Sequence, residues 1–135
     1  MSSSLAARGN SIIRVTGVDL SASLGKLVKF ANGAPAANGS ATVPATGIVL
    51  DGNIATAPSS VGILGGLSFP VRVQISATAN PLKQGDTIQQ AADDTFTNDA
   101  GAGNARVVAG VITDPNGAAA GDLAEALLFA PQIRA

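Results

Sequence analysis

The chain has 135 residues, 46% hydrophobic and 13% charged, with a formal net charge of -1 and neither cysteine nor histidine. That length suits one domain able to bury about two-thirds of its unfolded surface, and the apolar content excludes disorder by composition. Near-neutral charge without a basic block gives no footing for nucleic acid or an anionic membrane, and the missing cysteines exclude disulfides, thiolate nucleophiles and thiolate metal sites.

The first ten residues, "MSSSLAARGN", carry no apolar run of the kind that begins a secretory signal, and they read as a flexible arm, residues 1–10. Within it, Leu5, Arg8 and Asn10 are the side chains able to meet a partner. The remainder, 11–135, reads as a single β domain. "SIIRVTG" places Ile13 and Val15 on one face and Ile12 and Arg14 on the other. "KLVKF", "GIVL" and "VGIL" follow as short strand-like runs, separated by turn dipeptides such as Asn32-Gly33, Asn38-Gly39 and Asp51-Gly52. "FPVRVQIS" alternates most clearly, with Val71, Val73 and Ile75 set against Arg72, Gln74 and Ser76, so the first three are expected to point inward together. "DTIQQ", "VVAGVI" and "EALLF" complete eight expected strands. The last stretch, Gly121 to Ala130, contains good helix formers, but its bounding glycines and Pro131 favour a strand ending at the proline. No run is long enough to span a bilayer. These elements predict an all-β, mainly antiparallel fold, a small sandwich or barrel-like domain.

A weak internal echo runs through the strands. "GKLVKF" and "GDTIQQ" each start a strand after a glycine and a charged residue, and "VGIL" and "FPVRVQIS" stand to the first as "VVAGVI" and "EALLFA" stand to the second. The expectation is two similar three-stranded units with one extra strand in front.

The acidic hairpin from Gln84 to Ile112 is the one stretch resembling a ligand loop. Calcium loops need oxygen ligands at alternate positions, a glycine at the sixth and a glutamate at the twelfth. Counting from Asp93 gives Asn98 and Asn104 at those two positions, and counting from Asp94 puts Phe96 at the third. "GAGNAR" lacks the third glycine of a dinucleotide fingerprint. Asp93 and Asp94 are adjacent and would point to opposite faces of a strand, unlike a cooperating acid/base pair. The loop therefore reads as a connection pinned by an inward Phe96. Asn38-Gly39-Ser40 matches a glycosylation sequon but reads as a turn. With no histidine, a serine nucleophile would need one of three lysines as its base, and Lys26, Lys29 and Lys83 all sit in strand-like or turn-like contexts. No catalytic, cofactor-binding or metal-binding set is expected, and no cofactor.

The order "GNSIIRVTG…LGKLVKF…VGIL…FPVRVQIS…QGDTIQQ…RVVAGVI…AGDLAEALLF" resembles the capsid cement, or head-decoration, proteins of tailed bacteriophages from about Gly9 onward. The matching positions are Gly25, Leu27, Val28, Gly62, Val71, Val73, Gly85, Asp86, Gly110, Gly121 and Leu127. All are scaffold residues, so the resemblance lies in their order. The long "ANGAPAANGSATVPATG" excursion and "GLSFP" depart from the family pattern. The resemblance implies a β-rich structural protein, no enzyme, made in the bacterial host cytoplasm and carried on the outer capsid surface of the virion. It implies the major capsid protein as partner, with Leu5, Arg8 and Asn10 as the candidate capsid contacts, and further copies of itself, with a homotrimer favoured over a dimer. Another phage structural or tail-associated β module and a small ligand- or carbohydrate-binding domain stay open as alternatives. Against the last, the chain has four Phe and no Trp or Tyr to stack on a sugar.

Overall fold

A computed structural model describes residues 11–135. Ten strands and no helix make up the regular structure of those residues: β1 Ile12–Val15, β2 Leu27–Ala31, β3 Ala34–Ala37, β4 Gly47–Asp51, β5 Ser59–Ile63, β6 Val71–Gln74, β7 Thr87–Gln90, β8 Phe96–Asn98, β9 Arg106–Ile112 and β10 Leu123–Arg134. They form two five-stranded sheets, β1-β5-β4-β2-β3 and β6-β10-β9-β7-β8, in which every neighbouring pair is antiparallel. The fold is a small all-β sandwich. Its second sheet curls back on itself, because Ile75, just beyond β6, bridges in parallel to Phe96 of β8.

The alternation expected of the sixth strand holds as far as Ile75, but Ser76, expected on the wet face, is buried with its N–H bonded to Phe96 O. Val71, Val73 and Ile75 are buried, Arg72 is exposed and Gln74 is half-buried. They join Ile88, Phe96, Ile112, Ala124, Ala126 and Leu128 in the main core, and Leu27 and Ile48 of the first sheet pack into the same cluster. The opposite face of the first sheet has its own smaller cluster, in which Val28, Val49 and Val61 lie under Leu20 with Val15, Val18 and Phe30 at the margin. The loop between β1 and β2 thus roofs a sheet that is apolar on both faces. This explains why Ile12 and Val15, on opposite sides of β1, pack against different clusters.

Three expectations need correction. Two strands were not foreseen. Ala34–Ala37 is β3, made possible by the two-residue Asn32-Gly33 turn, whose residues both take positive φ. Phe96–Asn98 is β8, held against β7. The closing strand does not stop at Pro131. It runs to Arg134, and pairing with β9 slips between Leu128 and Gln132, so the proline sits in an irregularity where its missing N–H costs no ladder bond.

The internal echo is larger than three strands. The two sheet orders are the same list displaced by five. The registers agree as well: Arg14 faces Ser60 as Arg72 faces Glu125, Val28 faces Gly47 as Ile88 faces Gly110, Ile48 faces Gly62 as Val111 faces Leu127, and Phe30 faces Pro35 as Gln90 faces Phe96. Loop bonds repeat too. Gly25 N–H donates to Val49 O and Gly85 N–H to Ile112 O, while Lys26 O accepts from Val49 N–H and Asp86 O from Ile112 N–H. The chain is therefore two five-stranded units in tandem. The counterpart of "VVAGVI" is "GIVL" and not "VGIL", and "FPVRVQIS" repeats "SIIRVTG". The strand taken as an extra at the front is the first strand of the first unit.

Glycine marks two corresponding positions because the backbone is crowded there. A Cβ on Gly47 would lie 2.8 Å from a Val61 methyl, and one on Gly110 would lie 2.7 Å from Leu127 O.

Candidate interaction surfaces

Every carboxylate of the acidic hairpin is engaged by its own chain. Asp93 Oδ1 accepts from the Thr95 backbone N–H and hydroxyl. Asp94, at φ 68°, turns its Oδ1 toward Gly39 N–H at 2.8 Å and its carbonyl toward Leu27 N–H at 2.8 Å. Asp94 thereby ties the second unit's hairpin to the first unit. Asp99 Oδ1 accepts from Gly101 N–H at 2.9 Å and from Arg106 Nε. Burial alone would raise the Asp99 pKa. The Gly101 N–H, the Arg106 hydrogen bond and the positive charges of Arg106 and Arg134 outweigh it together, leaving the group below the ordinary carboxylate value. Among the described residues no three acidic, histidine or cysteine side chains converge as a metal site would require. The stretch turns the β7–β8 hairpin and then crosses to β9 on the other side of β7, and Phe96, fully buried, pins it as expected.

The departing excursion between β3 and β4 is held from inside. Gln90 is completely buried, its Oε1 accepts from Ala45 N–H at 2.9 Å, and its Nε2 donates to Val43 O at 3.0 Å. Asn38 Nδ2 donates to the same carbonyl at 2.9 Å, which makes the sequon asparagine a buried turn clamp. Sequence reading had no signal for the Gln90 role, because the last residue of "DTIQQ" is polar at a position that a period-two pattern assigns to the core.

Several depressions mark the surface of the described residues. The first, about 390 Å³, lies over the outer face of the second sheet between Arg72, Asp114, Leu123 and Glu125. The second, about 220 Å³, opens between the β1–β2 loop and β3, with Val18, Leu20, Val28 and Pro35 in its walls and Asp19 and Asp94 at its rim. The third, about 300 Å³, is shallow and lies beside Asp86 and Asp99. The exposed large apolar side chains are scattered: Ile13 is on β1, Val43 and Ile54 stand on separate loops, and β10 carries Leu123 and Leu127 on its outer face and Ile133 near its end. Leu5, Arg8 and Asn10 lie outside the described residues. The resemblance positions do fall on the scaffold, since Gly25 and Gly85 lead into β2 and β7, Gly62 and Gly110 lie within β5 and β9, and Gly121 precedes β10.

Compared with models of known protein families and with curated proteins, the chain matches none.

Proposed function

We propose that this protein is a structural virion component, one that binds the outer surface of an icosahedral bacteriophage capsid and stabilises the lattice of the major capsid protein. The observation that carries the reading is the order of glycine-led strands from Gly25 to Gly121, which resembles the cement proteins and whose glycines stand at strand starts and close approaches of this fold. Two further features support it. The carboxylates of the acidic hairpin serve as acceptors for its own backbone and for Gly39 N–H, and the exposed apolar residues are dispersed over loops and sheet faces. A cement protein needs such a surface: many modest contacts repeated around a closed lattice, adding through effective concentration. The protein acts as a homo-oligomer, trimer favoured over dimer, made in the host cytoplasm and carried on the outside of the particle, with no cofactor, nucleic acid or membrane.

The test is occupancy. Purified protein is incubated with particles stripped of their decoration, and bound copies are measured before and after deleting residues 2–9. Saturable binding, weakened by the deletion while the melting temperature holds, is expected. No binding to intact shells overturns the reading, and attachment to tails alone replaces it with a tail-associated module.

A further inference from the structure

The two tandem units differ where their first and third strands approach each other, and the difference leaves a gap. In the second unit the first and third strands touch: Ile75 bridges Phe96, and Ser76 N–H donates to Phe96 O at 2.8 Å. By the shared registers, the corresponding residues of the first unit are Gly17, Val18 and Pro35. Gly17 takes φ 84° and sends its N–H to Ala55 O at 2.9 Å, which turns the chain away from β3. No bond joins Val18 N–H to Pro35 O. Where the second unit closes, the first has the slit of about 220 Å³ between Val18–Leu20 and β3.

We propose that this slit receives the N-terminal segment, residues 1–10, of a second copy of this chain as an added strand. β3 is an edge of its sheet. Its two-residue turn puts Ala31 and Ala34 in a hydrogen-bonded pair, so alternation aims the carbonyls of Pro35 and Ala37 and the Ala37 N–H at the open side. These are the groups that strand addition uses. The apolar walls, Val18, Leu20 and Val28, give one aliphatic side chain a place, and the volume is below the roughly 300–1,000 Å³ of small-molecule sites. The segment "SSSLAARGN" matches, with a single leucine among small residues that let backbones approach. The lining includes the exposed carboxylate of Asp19, and Arg8, three residues after Leu5, is the segment's only charged side chain.

A second copy is the donor because of where the segment leaves the fold. Ser11 O accepts from Ile63 N–H at the start of β1, whereas the slit begins past the other end of that strand, at Val18. A segment folding back within its own copy would have to retrace β1 before reaching the slit, whereas a neighbour's slit imposes no such detour. Three copies donating in turn would close a ring, and the exchange needs no capsid.

Because the chain has no cysteine, engineered pairs read the contact directly. Ala7→Cys protein and Ala37→Cys protein are mixed under oxidising conditions, with each alone as control. Docking brings the thiols together, so the mixture should form disulfide-linked dimers on the order of a hundred-fold faster than either variant by itself. Adding Leu5→Asp to the donor should abolish the difference. Melting curves confirm that each variant folds, and Ala36→Cys replaces Ala37→Cys should that one fail to fold. A mixture no faster than its controls overturns the proposal. So does a double variant that closes within one chain at a rate independent of concentration, which would assign the segment to its own copy.

Discussion

Replacing Gln90 by leucine tests the clamp that holds the excursion before β4. The side chain is fully buried and leucine has similar bulk, so packing is nearly conserved and the hydrogen bonds are what is lost. Oε1 takes the N–H of Ala45, a residue 5% exposed, at 2.9 Å, while Nε2 serves Val43 O at 3.0 Å and Ser40 O at 3.4 Å. The Val43 carbonyl keeps the Asn38 Nδ2 donor at 2.9 Å and is not stranded. The Ala45 N–H is, and stranding a buried donor costs about 1–3 kcal/mol. The expected loss is therefore about 2 kcal/mol, a substantial part of the roughly 5–15 kcal/mol that holds a domain of this kind together. Urea unfolding should show a lower midpoint with an unchanged slope, since little additional surface is exposed. Hydrogen exchange should show the Ala45 amide losing protection ahead of the β4 amides. A loss below about 0.5 kcal/mol with Ala45 still protected would refute the clamp, because a stranded buried donor cannot be that cheap.

Val73→Asp places an unpaired charge in the main core at a completely buried position and should cost several kcal/mol, enough to prevent folding; soluble, fully folded variant protein would show the faces of β6 to be reversed. Asp99 has a depressed pKa in the folded state, so its contribution to stability is complete above the ordinary carboxylate value and is lost as pH falls through the depressed one. Asp99→Asn should accordingly flatten the acid limb of a melting-temperature profile, and an unchanged limb would contradict the pairing with Arg106. Sedimentation at micromolar concentration should show an oligomer, with three copies expected; a strict monomer both free and on particles would refute self-association.

The strands that alternate, above all Val71 to Ile75, were legible because one face is buried and the other wet. β3 and β8 were not, since "APAA" and "FTN" are too short for any period, and turns and partner strands define them instead. The echo was visible at Gly25 and Gly85 because both glycines precede a strand at the same register. Its extent was hidden because corresponding positions face different surroundings. Leu27 and Ile48 are buried between the sheets, whereas their counterparts Thr87 and Val111 are only half-buried on the outside, so the sequences diverged while the registers stayed. The slit was equally unreadable. It follows from Gly17 and Pro35 standing where the other unit has Ile75 and Phe96, which only the aligned registers disclose. The fate of Asp93, Asp94 and Asp99 as turn and hairpin acceptors agrees with the reading of that loop as a connection, although the bond from Asp94 to Gly39 joins segments 55 residues apart and no local pattern announces it.

The central claim is attachment to a capsid, and the most direct measurement is the ratio of this chain to the major capsid protein in purified, intact particles, taken by quantitative mass spectrometry before and after the tails are removed. The account predicts many copies in a fixed ratio to the capsid subunit, unchanged by removing the tails and lost when the shells are stripped. A few copies per particle that leave with the tails, or none, would contradict it.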